Sequence, residues 1–208
     1  EKEEALIRER LQEGEIGQSY RIRFEKVTYI EDLSKYLLQY SPIILHFSGH
    51  GNSEGAIILN NRQGQAQVLL VETLAELISL VRGRVECVVL NACFSLEKAE
   101  VLAKQVGSVI GMEQEIDDES AIIFAGEFYR GLGFGQGYYA AFELGRNAIK
   151  RLQLPDDNIP HFITRDSSLL QSAVVQPRVK RSATTERTTA TLYPLWFGTN
   201  RKPIDTED

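Results

Sequence analysis

The sequence has few cysteines and no long apolar segment. Its 208 residues include two cysteines and three histidines, and two cysteines are too few for a disulfide scaffold or a Cys-based zinc site. No run of about 18 apolar residues occurs and no basic-then-apolar leader is visible, so the sequence predicts neither a membrane span nor a secretory signal. We therefore expect two reduced thiols in a cytoplasmic protein that has no membrane partner.

The sequence also lacks an excess of basic residues. It has 23 Lys and Arg against 29 Asp and Glu, a formal net charge of −6, and a pI near 5.3. Because nucleic-acid binding relies on neutralising phosphates with basic side chains, this balance argues against a direct nucleic-acid partner. A composition of 43% hydrophobic and 25% charged residues is typical of a globular protein. The first residue is Glu rather than Met, which favours a piece of a longer chain.

Helical and strand patterns alternate along most of the chain, which predicts an α/β fold with a mainly parallel sheet and helices on both faces. Helices are predicted over 3–13, 31–40, 71–82, 96–106, 118–132 and 137–152. Strands are predicted over 20–29, 43–47, 85–90, 108–112 and 161–164, with a β-hairpin formed by 55–59 and 66–70.

The composition changes near residue 171. Residues 171–191 are rich in Ser and Thr, basic and without apolar periodicity, which predicts a flexible linker after a domain that spans 1–170. Residues 192–208 open with apolar and aromatic residues and resemble the first strand of some α/β-hydrolase domains. They are a candidate start of a further domain, although no G-x-S-x-G nucleophile motif is present.

Two buried strands lead into loops with reactive side chains. The strand over 43–47 is followed by a glycine-flanked loop that contains His50, and the strand over 85–90 is followed by a loop that contains Cys93. The carboxyl ends of parallel strands share one edge of a sheet, so we expect these loops to meet. A thiol is a weak nucleophile until a base raises its thiolate fraction, and imidazole can do this and later protonate a leaving amine. The backbone amides of Gly51 and Cys93 are candidate oxyanion donors.

Several motifs occur in a specific order over residues 20–165. Cys93 follows Asn91-Ala92, which keeps the Ala-Cys pair of the caspase signature, and His50 lies 43 residues upstream. The motifs are HFSGHG, VVLNAC, VIGM with an acidic turn and DESA, and FYRGLGFG. Together they resemble the CHAT-domain family of caspase-like (clan CD, separase- and caspase-related) cysteine peptidases.

The resemblance implies a caspase-like three-layer sandwich in which His50 and Cys93 form a dyad that cleaves a protein substrate without a cofactor or metal. It implies a regulated effector in bacterial signalling or anti-phage defence, controlled by a fused domain or a partner protein. Asp118 matches the aspartate that helps to line the primary specificity pocket of separase-like members, which favours a basic P1 residue. Two family features are absent from this sequence: the core strand that normally precedes the first helix, and an aromatic residue before that aspartate.

Each candidate residue also has an ordinary structural interpretation. Cys93 could be a buried structural thiol, and Asp118 fits the amino end of a helix, where acids complement the helix dipole. We interpret Cys87 as a core residue and His46 as a core histidine or as support for the site. A zinc site built from His46, His50 and Cys93 has suitable ligand types but no recognisable spacing.

Other functions remain compatible with the same fold. One alternative is a catalytically silent interaction or dimerisation module, for which a homo-oligomer is expected. Another is ligation through a thioester. Residues 178–182, with the sequence RVKRS, are a candidate self-cleavage segment if the enzyme prefers a basic P1 residue.

Overall fold

The computed structural model describes residues 2–24, 29–49, 57–81, 85–91 and 96–166, together with the backbone of 190–196. The helices are α1 (Lys2–Gln12), α2 (Leu33–Tyr40), α3 (Val71–Leu80), α4 (Leu96–Ala103), α5 (Asp118–Gly133) and α6 (Tyr138–Arg151). The strands are β1 (Tyr20–Ile22), β2 (Ile44–Ser48), β3 (Ile57–Asn60), β4 (Ala66–Leu69), β5 (Cys87–Asn91), β6 (Ser108–Met112), β7 (Pro160–Thr164) and β8 (Ala190–Trp196).

Six of the described strands form one sheet in the order β1-β8-β2-β5-β6-β7. All neighbours are parallel except β6 and β7, which pair antiparallel at one edge. Strands β3 and β4 form a separate antiparallel hairpin. The predicted mainly parallel sheet with helices on both sides is therefore confirmed, and the architecture agrees with a caspase-like sandwich.

Alternating side chains divide the core between the two faces of the sheet. On the face that we call the α3 face, strand residues such as Leu45, Phe47 and Val88 pack with α2, α3, α4 and the hairpin. On the opposite face, called the α5 face, Ile44 and Val89 pack with α1, α5 and α6. Successive side chains of a strand point to opposite faces of the sheet, so a strand that is covered on both faces needs apolar residues at consecutive positions.

Helix α1 and the turn that follows it approach the backbone of α5 closely. A Cβ atom on Gly14 would lie 2.0 Å from the carbonyl oxygen of Gly133, and one on Gly133 would lie 2.3 Å from the carbonyl oxygen of Leu11. Only glycine leaves room for such contacts. These close contacts therefore fix the position of α1 relative to α5.

The sheet contains a strand, β8, whose place in it the sequence did not predict. We expected a linker over 171–191 and the start of a further domain at 192, but residues 190–196 form β8, which pairs in parallel with β1 and with β2. The β-branched and aromatic residues of this segment suit a strand, and open strand edges accept further strands. The linker over 171–191 and the further domain from 192 stay predictions, because 167–189 and 197–208 lie outside the described residues.

None of the helices in the described part of the chain combines the length and apolar character needed to cross a bilayer.

Candidate functional site

The carboxyl ends of β2 and β5 meet in register. Ser48 is the last residue of β2 and pairs with Asn91, the last residue of β5. The pairing extends one residue further, because the backbone N–H of Gly49 donates to the carbonyl oxygen of Asn91 at 3.3 Å. Strand β6 lies beside β5 in the same direction and ends at Met112. Three loops of the chain therefore start from one edge of the sheet.

Three of the predicted site residues lie outside the described residues. These are His50, Gly51 and Cys93. Ser48 and Asn91 are register partners. His50 lies two positions after Ser48, and Cys93 lies two positions after Asn91. The structure therefore describes the strand ends from which both loops start, and the roles of the three residues stay predictions.

Asp118 is the first residue of α5 and its side chain is exposed. The helix cap is its neighbour Asp117, whose Oδ1 atom accepts a hydrogen bond from the backbone N–H of Glu119 at 2.8 Å. The helix-terminus interpretation of this acidic segment is thus confirmed. The segment follows β6 at the edge where β2 and β5 end, and a role for Asp118 in a specificity pocket stays a prediction.

The structure also shows a buried acid that sequence analysis missed. Glu3 of α1 is only 5% exposed. Its Oε1 atom accepts a hydrogen bond from Nδ2 of Asn91 at 2.8 Å, and its Oε2 atom accepts one from Oγ of Ser48. The Nε2 atom of His46 lies 3.5 Å from Oε1, which is an electrostatic contact rather than a short hydrogen bond. One carboxyl group therefore contacts both strands that lead to the predicted dyad.

His46 is 1% exposed, and its Nδ1 atom lies 3.1 Å from the hydroxyl of Tyr129 on α5. Burial lowers the pKa of His46, and the charge of Glu3 opposes this effect. Burial also raises the pKa of Tyr129, so its hydroxyl keeps a proton to donate. A carboxylate can only accept, so the contacts favour an imidazole that carries its proton on Nε2 and accepts from Tyr129 at Nδ1. The structure confirms that His46 is buried in the core, and its contact with Glu3 leaves a supporting role open.

The second thiol of the chain, that of Cys87, is expected to react slowly. Cys87 lies in β5, is fully buried, and has its pKa raised well above the ordinary value by burial. A thiol in this state is rarely ionised and reacts slowly. The interpretation of Cys87 as a core residue is confirmed.

Within the described ranges no group of three or more His, Cys, Asp or Glu residues could hold a metal ion. The zinc alternative involves His50 and Cys93, which lie outside those ranges.

A pattern in α1 could have revealed Glu3. The buried residues of this helix are Glu3, Ile7 and Leu11, which recur every fourth position and so share one helical stripe. An acid on the apolar stripe of an amphipathic helix is an unusual placement. The sequence did not show what the acid contacts, because its partners lie 45 and 88 residues away along the chain.

Comparison with known proteins agrees with this architecture. The model of the CHAT domain family matches residues 1–162. A curated protein named Roc-COR-CHAT protease, from an unknown prokaryotic organism, is 27% identical over 137 residues, which is 63% of this chain. The chain covers 13% of the length of that relative.

Proposed function

Because the chain belongs to the CHAT domain family, we propose that it is a caspase-like cysteine endopeptidase in which His50 and Cys93 form the catalytic dyad. The family is one of caspase-like peptidases, and a relative of this chain carries the name protease. What we propose is that this chain has peptidase activity and that His50 and Cys93 are its catalytic residues.

The observation that carries the proposal is the register between β2 and β5. Ser48 and Asn91 are partners, and neighbouring strands lie about 4.8 Å apart. The dyad residues follow these partners by equal numbers of residues, so both loops start level with each other. The equal spacing of the dyad residues from this register pair supports the proposal that their loops bring the imidazole and the thiol together.

The proposed mechanism uses only groups of this chain and water. His50 removes the proton of the Cys93 thiol, and the sulfur attacks the carbonyl carbon of the scissile peptide bond. The backbone amides of Gly51 and Cys93 donate hydrogen bonds to the oxyanion that develops. His50 then protonates the leaving amine, a thioester remains on Cys93, and water activated by His50 hydrolyses it to restore the thiol. No cofactor or metal takes part in these steps.

The acidic segment that follows β6 supports a preference for a basic P1 residue. Its exposed acids are Glu113, Glu115, Asp117, Asp118 and Glu119. A concentration of one charge beside a cleft raises the local concentration of substrates of the opposite charge. We assign Asp118 the direct contact with the P1 side chain.

The proposal also covers the setting of the enzyme. Its substrate is a protein or peptide, and its activity is regulated by a fused domain or a partner protein, in the cytoplasm of a bacterium that uses it in signalling or defence. Self-cleavage within 178–182 would follow from a basic P1 preference. That segment lies outside the described residues.

A peptide library with a varied P1 position tests the proposed function. We expect cleavage after Arg or Lys by the wild-type chain, and none above background by Cys93→Ala or His50→Ala. If a folded wild-type chain cleaves no member of the library, or if Cys93→Ala cleaves as fast as wild type, the peptidase proposal is wrong. In that case an interaction module is the better interpretation.

A further inference from the structure

We propose that Glu3 is a positioning residue that joins the carboxyl ends of β2 and β5 and thereby sets how closely His50 and Cys93 approach each other. This inference rests on the proposed function. It assigns a task in that function to a residue of α1, the helix that lies furthest along the chain from Cys93 within the matched family domain.

The geometry of the carboxyl group is that of a bridge. One oxygen accepts from Ser48 on β2 and the other accepts from Asn91 on β5. These two residues are also register partners across the parallel pair. The bridge therefore joins the two strands at their last paired position, immediately before the loops that contain His50 and Cys93.

The bridge is buried and braced. Glu3 and Asn91 are each 5% exposed. A contact with His46, which in turn pairs with Tyr129, orients the carboxyl group from the α5 side. A carboxyl group with several fixed partners and little water around it has few other orientations available. Small changes in the separation of the two strand ends are therefore resisted by contacts among four elements, which are α1, β2, β5 and α5.

Stability alone does not explain an acid at this position. The other buried residues of α1 on this stripe are Ile7 and Leu11, and they pack against an apolar cluster. Removing a carboxyl group from water is costly, and well-packed apolar residues often replace buried polar groups without loss of stability. The acid is best explained by the polar strand ends that it holds.

A second acid in the same turn provides the matched control. Glu4 shares the amino-terminal turn of α1, so it has a similar interaction with the helix dipole. It pairs instead with Arg8 at 3.6 Å, and the Arg8 side chain is 48% exposed. Glu4→Gln therefore removes the same charge from the same turn without touching the bridge.

The experiment compares Glu3→Gln, Ser48→Ala and Glu4→Gln in the same 208-residue chain. The first readout is kcat and KM for the best peptide of the library. The second is the rate of alkylation of Cys93 by iodoacetamide against pH, resolved from Cys87 by mass spectrometry. Because Cys87 is fully buried, its resistance to alkylation also reports that each variant is folded.

We expect Glu3→Gln to lower kcat by roughly thirtyfold or more while KM stays within about twofold, since displacing a catalytic group by about 1 Å can cost a hundredfold. Alkylation of Cys93 should slow and its pH midpoint should rise, because the imidazole no longer supports the thiolate. Ser48→Ala, which removes one arm of the bridge, should shift both readouts in the same direction by a smaller factor. Glu4→Gln should leave both unchanged.

If Glu3→Gln and Glu4→Gln are folded and behave alike in both readouts, the positioning role is wrong while the proposed function stands. If Glu3→Gln exposes Cys87 and is therefore unfolded, Ser48→Ala decides, and a wild-type result for it also overturns the role. If the wild-type chain is not a peptidase, the proposed function fails. The alkylation profiles then still decide the positioning role, because slower alkylation in Glu3→Gln than in Glu4→Gln supports it and equal rates overturn it.

Discussion

The two faces of the central sheet differ most at its carboxyl edge. Along β2 and β5, the side chains on the α3 face are apolar to the end, as Phe47 and Leu90 show. On the α5 face the same strands become polar towards that edge, from Ile44 to Ser48 and from Val89 to Asn91. The described side chains of β2 and β5 on the α3 face pack in an apolar cluster. The α5 face combines packing with a hydrogen-bonded network that leads to the candidate site.

This difference predicts that substitutions on the two faces affect different properties of the protein. Substitutions on the α3 face should reduce stability and leave the chemistry of the folded molecules unchanged. Substitutions at the carboxyl edge of the α5 face should alter the reactivity of Cys93. The four predictions that follow test this contrast in order of decreasing expected effect.

The largest effect is expected for Phe47→Ala on the α3 face. Phe47 is fully buried, and truncating a buried phenylalanine costs about 3–5 kcal/mol of unfolding free energy. Urea denaturation measures this loss. Alkylation of Cys93 in the fraction that remains folded should match the wild type. A Cys93 rate that changes while stability does not would contradict the division between the two faces.

A smaller loss is expected for Gly14→Ala, which disturbs the seat of α1 on α5. The new Cβ atom would lie 2.0 Å from the carbonyl oxygen of Gly133, and relieving such a clash costs about 1–3 kcal/mol. Because α1 carries Glu3, Cys93 should also become less reactive. Gly64→Ala is the control: Gly64 has a φ of 77°, and no atom of the described residues lies within 4 Å of its Cβ position, so only local strain of about 1 kcal/mol is expected there.

The third prediction concerns pH and the buried imidazole of the α5 face. Burial lowers the pKa of His46 in the folded chain, so the unfolded chain binds more protons once the pH falls below about 6.5. The stability contributed by neutral His46 is therefore present above that pH. It is lost as the pH falls, by at most about 1.4 kcal/mol per pH unit.

Chemical denaturation of the wild type and of His46→Gln between pH 7.5 and 5 measures this contribution. The variant should be less stable at pH 7.5, and its stability should fall less steeply as the pH decreases. Parallel profiles for the two proteins would show that His46 does not titrate in this way.

The smallest effect is expected at the exposed acid of α5. Asp118→Lys should reduce kcat/KM for a substrate with Arg at P1 about tenfold relative to one with a neutral P1 residue, because it reverses the charge that meets the side chain. Glu119→Lys makes the same charge change one residue away and should alter this ratio much less. Equal effects of both substitutions would indicate general attraction by the acidic segment rather than a pocket formed by Asp118.

Most of the fold follows from local patterns in the sequence. Apolar runs such as 43–47 and 85–90 predict buried parallel strands, and amphipathic stretches predict the helices near their observed bounds. The apolar and aromatic residues from 192 indicate a strand, but the place of β8 between β1 and β2 could not be predicted in the same way. Its Pro194 pairs with His46 in the middle of the sheet, and proline normally argues against a central strand because it has no N–H to donate.

The candidate site divides in a similar way. The loops with His50 and Cys93 can be found from sequence, because the glycines that flank His50 and the place of both loops after buried strands are local signals. The bridge formed by Glu3 cannot, because a burial pattern identifies an unusual acid without revealing its partners. Such partners depend on how α1 packs on the sheet, and this is decided by contacts such as that between Gly14 and Gly133.

The most direct measurement is the rate at which a peptide ketone with Arg at P1 labels Cys93 in the wild type and in His50→Ala. We predict rapid labelling of Cys93 in the wild type and none at buried Cys87. In His50→Ala the rate of Cys93 labelling should be lower by a factor of about 100 or more. Labelling of Cys93 at the same rate in both proteins would contradict the account, because it would mean that the imidazole does not reach the sulfur.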